Sequence, residues 1–134
     1  MQSYILLIIV DNKAETEFIN NAMQLAGLAC VSAWADTKER VQRILGQMLP
    51  DFVLLDLEVA GMNSLDFLEE FRLSSKTRDI PVFLYCNPIA DEVRGKALAL
   101  GASAFIERTK TTETLSWALK SAIADSDASA TGKR

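Results

Sequence analysis

The chain has 134 residues, 49% of them hydrophobic and 24% charged, with a net charge of -4 at pH 7. That length suits one domain with a proper core, and the composition is that of a folded globular chain and not of a disordered one. The acidic balance argues against direct nucleic-acid binding, which needs clustered Lys and Arg. The absence of histidine excludes every His-based triad or metal centre.

In chain order, Tyr4 to Val10 is a short, solidly apolar run, the pattern of a strand buried on both faces. No basic stretch precedes it and it is too short to span a bilayer, so the expected location is cytoplasmic. From Ala14 onward Phe18, Ile19, Ala22, Met23, Leu25 and Ala26 recur at helical spacing, and Gly27 is placed to end that helix. Ala29 to Trp34 reads as a weaker strand. Asp36 followed by Glu39 resembles a capping box for a helix with face Val41, Ile44, Leu45 and Met48, closed by Pro50. Phe52 to Leu55 is a third strand delivering Asp56, and a helix starting near Asn63 or Ser64 turns Leu65, Leu68 and Phe71 inward.

Pro81 introduces strand Val82 to Cys86, and the next helix carries Val93, Ala97 and Leu100 and stops at Gly101. Ala104 to Ile106 is a fifth strand. The last helix opens near Thr111 or Thr112 with Glu113 in its first turn and a core face of Leu115, Ala118, Leu119 and Ala122. The domain is expected over residues 1–124, and the aperiodic residues 125–134 read as a flexible tail or linker stub. Five β-then-α units in strict alternation predict an α/β domain with a parallel sheet covered by helices on both faces. In such sheets the site lies beyond the carboxyl ends of the strands, where Asp11, Asn12, Asp56, Cys86 and Arg108 converge. Cys30 and Cys86 lie in apolar runs without CxxC spacing and read as buried thiols.

Four segments, Ile5 to Asn12, Pro50 to Asp56, Ile80 to Leu84 and Gly101 to Phe105, occur in order and at receiver-like spacing over about residues 4 to 124. Together they resemble the response regulator receiver family of two-component signalling. The resemblance implies a flavodoxin-like, doubly wound (βα)5 three-layer sandwich with sheet order 2-1-3-4-5. It also implies phosphoryl transfer from a kinase histidine onto Asp56, with a Mg²⁺ held by Asp11, Asn12 and Asp56 and an extra carboxylate, Glu58, beside them. Such a cation takes oxygen ligands and screens the entering phosphoryl group.

By the same resemblance Arg108 takes the position of a lysine, Cys86 that of the switch Thr or Ser, and Phe105 that of the switch aromatic. Chemical activity is limited to self-catalysed phosphotransfer. Expected partners are a sensor histidine kinase or phosphotransfer protein and a downstream protein target. The last two helices are the surface for that output and for a homodimer, with no membrane contact.

Several positions depart from the family pattern. Asn12 is neutral where an acid is usual; one charge lost about 4 Å from a cation costs up to roughly 4 kcal/mol at an effective dielectric near 20, so Mg²⁺ is expected to bind weakly. A thiol is a weak donor, and a planar guanidinium is not interchangeable with an ammonium. Thr109 stands where proline is usual, and a cis Arg108–Thr109 bond is not expected.

These departures motivate a second reading, a pseudo-receiver that binds proteins without phosphorylation. Plainer roles also stand: aspartates capping turns, Glu58 as a solvated charge, and Arg108 as an ion-pair partner of Asp56 or Glu58. Phe105 is as well explained as core, and Trp34 and Trp117 as partly buried packing, although Trp117 on the last helix also suits a partner surface. An Asp-x-Asp phosphohydrolase lacks support, because the nucleophile should end the first strand of the motif. A flavin site lacks a hydroxyl-rich phosphate loop.

Overall fold

A computed structural model describes the backbone of residues 3–132 and the side chains of residues 3–126. β1 (Ser3–Ile9), β2 (Ala29–Ala35), β3 (Phe52–Asp56), β4 (Val82–Cys86) and β5 (Ala104–Glu107) alternate with α1 (Lys13–Leu25), α2 (Lys38–Leu45), α3 (Ser64–Leu73), α4 (Asp91–Ala99) and α5 (Thr112–Gly132). All four strand pairings are parallel, in the order β2-β1-β3-β4-β5. This is the flavodoxin-like, doubly wound strand order expected from the sequence. Among the described residues no helix is long and apolar enough to cross a membrane.

The two faces of the sheet follow from the two-residue period of a strand. Leu6, Ile8, Val10, Leu54, Phe83 and Tyr85 pack on one side, against Ile19 and Met23 of α1 and Leu115, Leu119 and Ile123 of α5. Leu7, Ile9, Val53, Leu55 and Leu84 pack on the other, against Val41, Phe67, Leu68, Phe71 and Ala97 of the remaining helices. Burial on both sides accounts for the uninterrupted apolar runs of β1 and β3.

Several boundaries differ from the sequence expectation, each for a local reason. α2 is capped by Thr37 and not Asp36: the Thr37 hydroxyl accepts the Arg40 N–H at 3.1 Å, while Asp36 pairs with the Arg40 side chain at 3.8 Å. The same helix ends at Leu45 with Gly46 as its cap, a turn before Met48. Gly27 ends α1 as expected, with φ of 75° and its N–H donated to the Gln24 carbonyl. Trp117 is 74% exposed, because Leu115, Leu119 and Ile123 define a buried stripe on the other side of α5.

α5 also continues to Gly132, past the point where hydrophobic periodicity is lost. Ala124 to Thr131 holds neither Pro nor Gly, so nothing in it breaks a helix already begun. Of the expected tail, residues 133 and 134 lie outside the described residues.

Candidate functional site

Asp56 ends β3, and strand alternation turns its side chain to the α1/α5 side, beside Tyr85 in the β3–β4 register. The residue is only 4% exposed. Its Oδ1 accepts the Glu58 N–H at 2.8 Å, and its backbone carbonyl accepts the hydroxyl of buried Ser64 at 2.7 Å, tying the start of α3 to the end of β3. A buried carboxylate needs a counter-charge. Arg108 supplies it, with Nη2 at 2.6 Å from Oδ2 and Nη1 at 3.3 Å from Oδ1.

Arg108 follows the last residue of β5, and its backbone N–H donates to the Cys86 carbonyl at 2.8 Å, which extends the β4–β5 pairing and fixes where the side chain leaves the sheet. Its guanidinium lies 4.5 Å from the centre of the Tyr85 ring. The other edge of the fork meets Glu15: Nε is 3.3 Å from Oε2, and Nη2 is 3.0 Å from Oε1 and 3.1 Å from Oε2. Glu15 reaches this point because Asn12 starts α1, its side-chain oxygen accepting the Ala14 N–H at 2.9 Å and its carbonyl accepting the Glu15 N–H at 3.0 Å.

The cluster therefore joins α1, β3, β4 and β5 through one cation and two carboxylates. Arg108 is held charged more firmly than an ordinary arginine, first by its hydrogen bond to Asp56 and also by that to Glu15, with burial opposing. Burial pushes the Tyr85 phenol up, and the charge of Glu15 adds to that effect.

Asp56 and Arg108 thus meet as expected, while the other expected site residues are placed otherwise. Asp11 accepts the Ala60 N–H with both carboxylate oxygens, at 3.0 and 3.1 Å. The Asn12 amide oxygen is taken up by capping α1. Glu58 is exposed and reaches Asp56 through its backbone N–H, not its carboxylate. Among the described residues, no three Asp, Glu, His or Cys side chains gather as an ion-binding group. The expected oxygen donors are engaged within the chain: those of Asp11 and Asn12 by backbone N–H groups and that of Asp56 by a guanidinium.

Cys86 is buried, and that burial pushes its thiol up. Phe105 packs with the α2–α4 side of the core, and the Arg94 guanidinium covers its ring at 4.4 Å. All described peptide bonds are trans, including Arg108–Thr109. Glu15 and Tyr85 are the site residues that sequence reasoning missed. The available signals were an acid in the first turn of the helix leaving β1, and a bulky polar aromatic at the penultimate position of β4.

Comparison with known proteins bears on the family and the fold. A family profile described as the response regulator receiver domain matches residues 6–120. The chain is 24% identical over 103 residues to the phosphate regulon transcriptional regulatory protein PhoB of Pseudomonas aeruginosa, covering 76% of this chain and 44% of that one. It is 22% identical over 120 residues to the sensor histidine kinase CheAY of Helicobacter pylori, covering 90% of this chain and 15% of that one. The chain thus spans less than half the length of either.

Two solved structures share the fold. The phosphorylated cyanobacterial phytochrome response regulator RcpA has a TM-score of 0.76 at 19% identity, over 90% of this chain and 91% of that one. The chemotaxis response regulator CheY4 of Vibrio cholerae has a TM-score of 0.75 at 17% identity, over 90% and 99%. With the profile covering most of its length and the sheet order in agreement, the chain belongs to the response regulator receiver domain family.

Proposed function

We propose that this receiver domain works as a phosphorylation-independent protein-interaction module, its acidic centre held by an internal guanidinium where a metal ion and a phosphoryl group would otherwise act. The observation that carries the reading is the Arg108 contact to both oxygens of Asp56, with Nη2 at 2.6 Å from Oδ2. Phosphoryl transfer to a carboxylate needs a free attacking oxygen and a cation that screens the incoming charge. Here the attacking group is buried and paired, and Asp11 and Asn12 are committed to the backbone. Output then runs through protein contacts, in keeping with a net charge of -4 that disfavours nucleic acid.

The competing reading is phosphoryl transfer from a histidine kinase onto Asp56. One feature favours it: Asp56 stands at the carboxyl end of β3 beside a permanent cation able to receive phosphoryl oxygens. Incubation with acetyl phosphate and Mg²⁺ followed by intact-mass measurement separates the two. The expected result is no phosphoadduct, and no change in Trp34 fluorescence on adding Mg²⁺, since the Trp34 indole donates to the Val10 carbonyl next to Asp11. An adduct lost in Asp56→Asn would reverse the assignment.

A further inference from the structure

We propose that the cleft between the first turn of α1, the end of β4 and the β5–α5 loop binds a small aromatic monocarboxylate, and that Glu15 occupies the carboxylate position while no ligand is present. The inference deepens the phosphorylation-independent reading by naming an input for it. The cleft has a volume of about 320 Å³ and is lined by Glu15, Phe18, Tyr85, Arg108 and Lys110 among others, a size at the small end for ligand sites. It is shallow and open to solvent, and its exposed lining is mostly apolar although Glu15, Arg108 and Lys110 contribute to it.

Three observations point to this ligand chemistry. The Nε/Nη2 edge of Arg108 already binds a carboxylate, that of Glu15, with contacts of 3.0 to 3.3 Å, so the recognition geometry for a planar two-oxygen anion is built. The two anions on Arg108 differ in how readily they can leave. The Asp56 side chain is 5% exposed and has nowhere to go, whereas that of Glu15 is 30% exposed and stands on a first helical turn from which it can swing into water. With Glu15 swung out, the cleft presents Arg108 and Lys110 as cations and the half-buried Phe18 ring as a flanking surface, while Tyr85 lies beneath the Arg108 guanidinium at its floor. That combination suits a carboxylate on a flat apolar body better than a hydrated phosphate.

Benzoate is the probe, with benzamide as the neutral isostere and inorganic phosphate as the alternative anion, each titrated by protein-observed NMR at neutral pH. Saturable benzoate shifts at residues 14–18 and 108–110 are expected, with at least tenfold weaker binding of benzamide and of phosphate. Glu15→Gln removes the internal competitor and should tighten benzoate about tenfold, the equivalent of one charge-assisted contact. Arg108→Ala should abolish binding; should that variant not fold, the benzamide comparison and Arg108→Lys, expected to weaken benzoate at least fivefold, carry the same test.

Equal binding of benzamide, preference for phosphate, no tightening in Glu15→Gln, or no benzoate binding at all would overturn the proposal. The mass assay for phosphorylation is independent of every one of these readouts. A phosphoadduct with benzoate binding intact would refute the phosphorylation-independent reading alone, and the converse result would refute the ligand alone.

Discussion

Two half-buried arginines sit at opposite ends of the sheet and do different work with the same side chain. Arg72, near the end of α3, lies at the amino ends of β4 and β5. It donates Nε and Nη2 to the Gly101 carbonyl at 3.0 and 2.8 Å, and Nη1 to the carbonyls of Arg78 and Ile80 at 2.9 and 2.6 Å. Its carbonyl acceptors are neutral backbone groups that cannot leave, and burial lowers its pKa. Gly101 is matched to it: with φ of 105°, a Cβ there would come 2.7 Å from the Arg72 Nε.

Arg108, past the carboxyl end of β5, is shared between two carboxylates and has its pKa raised. An arginine ringed by carbonyls is a brace. One shared between carboxylates of unequal burial has one partner, Glu15, that stands closer to solvent than the other.

The most severe way to break the contrast is to remove the brace. Arg72→Ala leaves the carbonyls of Gly101, Arg78 and Ile80 without their donor and should cost about 3 kcal/mol, read as a lower urea midpoint at an unchanged slope. Arg108→Ala should cost less, about 2 kcal/mol, because the guanidinium is partly hydrated, and the loss comes mainly from leaving Asp56 buried and unpaired. That account sharpens into a cycle: Asp56→Asn alone should be close to neutral, since Arg108 keeps Glu15, and in the Arg108→Ala background it should recover most of the loss. Failure to recover it would place Arg108 with Arg72 as a brace.

The smallest effect at neutral pH comes from two thiols and a phenol. Cys86 and Tyr85 are buried, whereas Cys30, expected to be buried, is only half-buried on the edge strand β2. Burial raises the Cys30 and Cys86 thiols above 9.0 and the Tyr85 phenol above 10.0. The unfolded chain therefore gives up these protons first, and the folded state binds more of them in alkali. Stability from this source is whole below about pH 9 and declines as pH rises beyond it, which urea midpoints at about pH 8 and about pH 11 would test.

The fold was legible because each signal is local. The apolar runs of β1 and β3, the helical stripe Ile19, Ala22 and Met23, and the stop at Gly27 each work within a few residues. The cap of α2 was misread because Asp36 and Thr37 both suit an N-cap, and only backbone geometry separates adjacent candidates. The meeting of Asp56 with Arg108 was legible through family spacing. The destination of Asn12, the pairing of Asp11 with Ala60 and the arrival of Glu15 were not, because each depends on the way loops after different strands come together.

By itself the amino-acid order determined the alternation of strands and helices, the residues with an inward face and the acid that ends β3, since side-chain periodicity and turn chemistry act over a few positions. Tertiary structure alone decided which charges touch. Glu15 and Arg108 are 93 residues apart in the chain, and whether a carboxylate at position 15 meets a guanidinium, a metal or water depends on how the start of α1 and the loop after β5 meet at the carboxyl end of the sheet. Electrostatic pairing follows distance in space, and a parallel sheet sets that distance through register and crossover, which no single segment encodes.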